Sequence, residues 1–216
     1  MAEVRGEPAL GLRERKKQRT RATLIDAAVE LCERQGFERT TVDQIAAIAY
    51  VSPRTFSRYF STKDAIALAL IDEALDKTAA HLAEQPTDIS HFEALRRSYV
   101  AMYADTKAAP PGELTPERMM CTVRIIMTSP ALRQAAVEFR PHAVTNELAK
   151  RMGVGLDDRR LKLVAAMWSS LIMTAMADLA KDSTDWPNVG IDSLVSRLES
   201  TYDEFISLVA DVPKSV

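Results

Sequence analysis

Three times in this chain a hydroxyl side chain stands directly before a proline: Ser52-Pro53, Thr115-Pro116 and Ser129-Pro130. Each pair is a helix start. The Ser or Thr oxygen caps the free N–H groups of the first turn, and proline is tolerated at the first helical position. Apolar residues follow at three- and four-residue spacing, and no strand-like alternation competes with them. With only seven glycines in 216 residues, little interrupts a helical chain. The fold class predicted is all-α, with about nine helices.

Residues 1–12 read as a disordered leader. From about Arg15 to Gly36, the spacing of Leu24, Ala27, Ala28, Leu31 and Cys32 is helical, and the glycine ends the helix. Thr40 or Thr41 can cap a short second helix with Val42, Ile45, Ala46 and Ala49 on its inner face. Tyr50 to Ser52 then separate it from a third helix at Pro53. Two short helices joined by so few residues, behind a longer one, make a helix-turn-helix unit. A fourth helix is expected from Lys63 to before Pro86, a fifth from about Ser90 to Ala108, and a sixth from Thr115 through Met127. A seventh should run from Ser129 to near Gly153, kinked or interrupted near His142 by Pro141. An eighth spans about 157–181 and a ninth about 191–210. The domains that follow are the leader 1–12, a helix-turn-helix domain 13–62, and a larger helical domain 63–216.

Charge is unevenly spread. Residues 1–64 hold 12 Lys and Arg against 9 Asp and Glu, whereas the remainder holds 16 against 21. Arg13, Arg15, Lys16, Lys17, Arg19 and Arg21 surround a single acid, Glu14. One polyanion-facing end on an acidic body is one reading, and a solvated tail is another. No apolar run approaches the roughly 18 residues of a membrane span, and the start lacks a hydrophobic signal core. Cys32 and Cys121 do not suggest a disulfide framework. A cytoplasmic protein is expected.

The stretch VSPRTFSRYF, residues 51–60, carries the most specific chemistry. At roughly 100° per residue, Arg54, Ser57, Arg58 and Ser61 share one side of the third helix, and Phe56, Tyr59 and Phe60 the other or its edge. Arg pairs bidentately with guanine, and hydroxyls suit phosphates or base edges. An isolated Arg-x-x-x-Arg pair is usually a solvated face. One that follows a basic helix and a short turn suits the end of a recognition helix in a major groove.

The run GFERTTVDQIAAIAYVSPRTFSRYFSTKDAI, residues 36–66, resembles the DNA-binding domain of tetracycline-repressor (TetR) family regulators. The matching features are Gly36-Phe37, Thr40-Thr41-Val42, Ile45-Ala46, Ala49, Val51-Ser52, Thr55-Phe56, Tyr59-Phe60 and Lys63-Asp64. The resemblance implies an all-helical homodimer with an N-terminal DNA-binding domain and a C-terminal effector domain. Its usual contact positions fall on Thr41, Ser52, Arg54, Thr55, Ser57, Arg58, Tyr59 and Lys63, and Pro53 is counted with them. Three positions depart from the family pattern. Tyr50 stands where glycine is usual, Arg54 replaces a small residue, and Ser57 replaces an aromatic.

The rest of the chain is less specific. Eight of nine methionines lie beyond residue 100, and methionine suits irregular apolar cavities as well as ordinary cores. An effector pocket is expected at Met102, Tyr103, Met120, Arg124, Met127, Trp168 and Met173, in helices that enclose the pocket in this family. Arg124 can also be read as a surface pair with a packed stem. The eighth helix is apolar almost all round, so it needs cover on more than one face. Leu161, Val164 and Leu171, with Leu198, Tyr202 and Phe205 of the ninth, are expected at a four-helix dimer interface. The C-terminal pattern loosely resembles mycofactocin-system regulators, which implies an acyl-coenzyme-A-like or other long apolar effector.

His81, His91 and His142 have no metal-ligand spacing, and nothing resembles a phosphate-cradling loop or a nucleophile elbow. Neither catalysis nor a cofactor is expected. The function predicted is a ligand-responsive transcriptional regulator, a repressor released from a pseudo-palindromic double-stranded operator by a small apolar effector, with the fourth helix as the lever. The alternative is a helical small-molecule- or partner-binding protein without specific DNA binding.

Overall fold

The structure is a computed structural model that describes residues 11–137, 141–180 and 189–210. Those residues form ten α-helices and one 3-10 segment, with no strand among them. In order they are α1 (Leu12–Gln35), α2 (Val42–Ile48), α3 (Pro53–Tyr59), α4 (Lys63–Glu84), α5 (His91–Thr106) and α6 (Pro116–Thr128). After these come α7 (Pro130–Val137), α8 (Ala143–Met152), α9 (Arg159–Met176), the 3-10 segment Ala177–Ala180, and α10 (Ile191–Ala210).

The fold is all-α, and the differences from expectation are local. The first helix already contains Leu12, so the basic run from Arg13 to Arg21 is helical; residues 1–10 of the expected leader lie outside the described residues. The seventh helix is interrupted before His142, as expected, and counts as two helices, α7 and α8, which raises the number to ten among the described residues. Pro141 is the cause: it lacks the N–H that a continuous helix needs. His142 accepts from Thr145 N through Nδ1 at 3.4 Å and caps the new start. The expected eighth helix tightens into the 3-10 turn after Met176, and residue 181 lies outside the described residues.

The chain divides between Thr62 and Lys63 into two compact units. In the first, α1 packs on α2 and α2 on α3. Leu24, Ile25, Ala28, Leu31 and Cys32 of α1 are buried, as are Phe37, Ile45, Ala46, Ala49, Phe56 and Phe60. Its short helices are fixed by their caps. Thr41 Oγ1 accepts from Gln44 N at 3.3 Å, while Thr41 N donates to Gln44 Oε1 at 3.0 Å, a reciprocal capping box. Ser52 Oγ accepts from Thr55 N at 3.1 Å with Pro53 at the first helical position.

In the second unit, α4, α5, α6, α8, α9 and α10 enclose one apolar core, with Leu95, Met102, Leu148, Leu161 and Leu198 almost fully buried. Polar side chains fasten the helices around it. Arg151 of α8 donates to Gln85 O and Ile89 O at 3.0 Å each, and so holds the α4–α5 connection. Arg96 joins Glu93 at 2.8 Å within α5 to Glu199 of α10 at 3.0 Å, and Arg97 donates to Glu93 at 2.6 Å. The two guanidiniums, Arg96 first, hold the Glu93 carboxyl down at about 2.

Candidate functional site

The side chains of α3 divide sharply between inside and outside. Phe56 and Phe60 are buried with ring centroids 6.0 Å apart, and Arg21 of α1 lies 5.2 Å over the Phe60 ring. Arg54, Ser57 and Arg58 are exposed. Ser57 Oγ donates to Pro53 O at 3.0 Å, and the Ser52 and Thr55 hydroxyls share a hydrogen bond of 3.0 Å. These hydroxyls therefore serve the helix start. Arg54 makes no hydrogen bond or ion pair with any described residue, and Arg58 lies 5.3 Å over the Tyr59 ring. The Thr20 hydroxyl beside Tyr59 holds its phenol below the usual value.

No Asp or Glu occurs between Asp43 and Asp64, a stretch that contains Arg54, Arg58 and Lys63. Exposed Arg54 and Arg58 in this acid-free stretch suit phosphate and guanine edges. Of the nine expected DNA-contact residues, Thr41, Ser52, Pro53, Arg54, Ser57 and Arg58 are exposed, and Thr55 and Tyr59 are half-buried. Lys63, also half-buried, opens α4 and belongs to the second unit.

The second unit holds a cavity of about 120 Å³. From α6 it is lined by Met119, Thr122, Val123, Ile126 and Met127, which is the i, i+3, i+4, i+7, i+8 stripe of a helix. Met102, Tyr103, Met127, Trp168 and Met173 line it as expected positions. Met120 and Arg124 do not, because each lies one residue beyond the inward stripe. Arg124 is half-buried and engaged with other groups of the protein.

Aromatic rings form one wall of the cavity. Tyr99 and Trp168 have ring centroids 5.5 Å apart, and Trp168 meets Tyr202 edge-on at 6.5 Å. Burial pushes the Tyr99 phenol up to about 12 and raises Tyr103 as well, so both stay neutral donors near pH 7. Trp168 is 4% exposed, yet its indole Nε1–H has no hydrogen-bond partner among the described residues. The Tyr99 phenol is near enough to be lowered slightly by the indole, but the two do not form a hydrogen bond. No Lys, Arg, Asp or Glu lines the cavity among the described residues.

Tyr99, Thr122, His142, Thr145 and Ser169 also line the cavity and were not anticipated as site residues. For His142 and Thr145 the signal was Pro141, since the break it causes turns this cap toward the interior. The other histidines have separate roles. His81 Nε2 lies 2.7 Å from Asp105 Oδ2, and His91 is lowered by burial and then by the Arg151 charge.

The expected dimer residues face inward. Leu161, Leu171, Leu198 and Tyr202 are buried in the core of their own unit, and Val164 and Phe205 pack half-buried against it. Leu161 and Leu198 are fully covered within their own unit, whereas Val164 and Phe205 keep part of their surface exposed. The exposed apolar residues of the same helices are Leu163 on α9 and Ile206, Leu208 and Val209 on α10.

Residues 24–70 match the family model of bacterial regulatory proteins, tetR family. The HTH-type transcriptional regulator TcmR of Streptomyces glaucescens is 32% identical over 168 residues, which cover 74% of this chain and 73% of that protein. TtgR of Pseudomonas putida, also an HTH-type transcriptional regulator, is 26% identical over 200 residues, 82% of this chain and 92% of that one. Among solved structures, FadR of Thermus thermophilus, a TetR-family repressor in complex with lauroyl-CoA, superposes with a TM-score of 0.50 at 21% identity. It covers 91% of this chain and 97% of its own. SmeT, repressor of a multidrug efflux pump of Stenotrophomonas maltophilia, has a TM-score of 0.51 at 18% identity, covering 85% of this chain and 89% of its own. A helix-turn-helix whose α3 carries no acid and a helical second unit around an apolar cavity agree with these likenesses: the chain belongs to the TetR family of DNA-binding transcriptional regulators.

Proposed function

We propose that this regulator is a homodimeric repressor: the unit ending at Thr62 reads a pseudo-palindromic operator, and an effector in the cavity of the second unit releases it. The observation that carries the reading is the outer face of α3. Arg54 and Arg58 stand exposed on it in a stretch without acids, while Phe56 anchors the opposite side. In a dimer, two such helices about 34–36 Å apart would reach successive major grooves.

The dimer face assigned here is the exposed side of α9 and α10. Leu163, Ala166, Ser170 and Thr174 recur at helical spacing on α9, and Ile206, Leu208 and Val209 are exposed near the end of α10. Small residues let helices approach closely, and the apolar ones gain by leaving water.

The effector class follows from the cavity. A carboxylate or phosphate brought among these walls would lose its hydration with no Lys or Arg to replace it. An uncharged, largely apolar ligand fits, with an acceptor for the Trp168 N–H. Leaving that donor unpaired costs about 1–3 kcal/mol. For acyl-coenzyme-A-like ligands, as the likeness to mycofactocin-system regulators implies, the walls suit the acyl chain and offer the phosphates nothing. Release requires that the ligand bind the DNA-incompetent state more tightly, since equal affinity shifts no equilibrium.

Selection of fragments from a random DNA pool by the full chain tests the reading. Enrichment of an inverted repeat with half-sites about 10 bp apart is expected. Recovery of no common sequence would leave a helical ligand-binding protein without specific DNA recognition.

A further inference from the structure

Two helices of this chain end in the same hydrogen-bonded cap, with different residues at its critical position. At the end of α8, Gly153 N donates to Lys150 O at 3.0 Å and Val154 N to Ala149 O at 3.0 Å, with Gly153 at φ 65°. At the end of α2, Tyr50 N donates to Ala47 O at 3.1 Å and Val51 N to Ala46 O at 2.9 Å, with Tyr50 at φ 52°. Even the neighbours agree, an Ala three residues inside each end and a Val just beyond it. The pattern requires a left-handed residue, which glycine supplies without strain and a residue with a Cβ does not. Tyr50 is the only non-glycine residue at positive φ among those described.

The two cap hydrogen bonds return part of this cost, but the side chain returns none of it to any described residue. The Tyr50 side chain is 96% exposed and makes no hydrogen bond or ring contact with any described residue. A strained position filled by a large side chain that contributes nothing to the fold, where glycine would make the same cap, points to a role outside it. Its surroundings indicate the partner. Tyr50 lies two residues before the Ser52 cap of α3, in the acid-free stretch between Asp43 and Asp64, and Ala47 on α2 and Arg54 on α3 are exposed with it.

We infer that Tyr50 is a DNA-contacting residue whose phenolic hydroxyl donates to a phosphate of the operator backbone. The left-handed turn aims the side chain away from the protein, and a phosphate contact there would fix the register of α3 in its groove. The inference rests on the DNA-binding reading above and adds a residue to it.

The test uses the full chain and a fragment selected from the random pool. Fluorescence anisotropy is measured for the parent, Tyr50→Phe and Tyr50→Gly over a range of salt. Both variants are expected to bind about five- to tenfold more weakly, the loss of one hydrogen bond. The weakening should be alike on selected and unrelated fragments, with the salt slope unchanged because no charge is removed. Tyr50→Gly should melt at or above the parent, since glycine relieves the turn. Parental affinity in Tyr50→Phe would overturn the hydroxyl contact. Weakening confined to the selected fragment would overturn the phosphate assignment, and a lowered melting point in Tyr50→Gly would show that the side chain supports the fold. A parent that binds no DNA would instead sink the underlying reading, before any variant is compared.

Discussion

The two units of this chain hold their distinctive residues on opposite sides of their helices. In the unit ending at Thr62 the interior is conventional, and the specific groups, Arg54, Arg58 and Tyr50, point out. In the unit beginning at Lys63 the surface is laced with ordinary ion pairs, and the specific groups, Tyr99, Trp168 and the methionines, point in. The α3 face suits a polyanion because Arg54 and Arg58 stand exposed on it in a stretch without acids. The cavity of the second unit is lined by apolar and aromatic side chains with no Lys, Arg, Asp or Glu among the described residues.

That contrast can be broken first at the anchors. Phe56→Ala should destabilise the first unit by about 3–5 kcal/mol, as deletion of a fully buried aromatic does, and DNA binding should go with it. Leu148→Ala, beside the cavity, should cost about 2–5 kcal/mol and blunt ligand-induced thermal stabilisation. Thermal melts with and without DNA or ligand separate the two. If Phe56→Ala leaves DNA binding intact, α3 is not held as described.

Arg58→Ala tests the outward half alone. It should weaken DNA binding by about 1–3 kcal/mol and leave stability within about 0.5 kcal/mol, since the side chain is exposed. A loss confined to the selected sequence makes it a base contact, and a uniform loss makes it a phosphate contact. A drop in stability equal to the drop in affinity would remove the distinction.

Glu93→Gln tests the second unit's outer fastening. Held at about 2 by Arg96 and Arg97, the carboxylate is depressed below its unfolded value. Its contribution is therefore complete above about pH 4.5 and lost as pH falls toward 2. The variant should be less stable at neutral pH by on the order of 1–2 kcal/mol after solvent screening. It should also lose less stability on acidification over that window. An acid melt parallel to the parent's would show that the cluster does not hold α5 to α10.

The outward unit was far more legible in the sequence than the inward one. Ser52-Pro53 fixes where α3 begins, so counting at 100° per residue assigns each side chain to a face. The same argument fails for α9, which is apolar almost all round. Periodicity there does not say whether Leu161 or Leu163 turns to the monomer core, and only packing decides that it is Leu161. In α6 the apolar run hides a rotation of one residue, which is why Met120 and Arg124 were expected in a cavity that Met119 and Val123 line. Tyr50 was visible as a departure from the glycine usual in the family. Its full exposure, and the identical cap filled by Gly153, required the coordinates.

The most direct test is an equilibrium titration of the full chain, at physiological salt, on the selected fragment and on a scrambled fragment of equal length. Binding roughly a thousandfold or more tighter to the selected fragment is the range of specific readout, and it is the result expected from an outward face that carries Arg54 and Arg58. Equal affinity for both fragments would contradict it and reduce that face to a solvated, nonspecific patch.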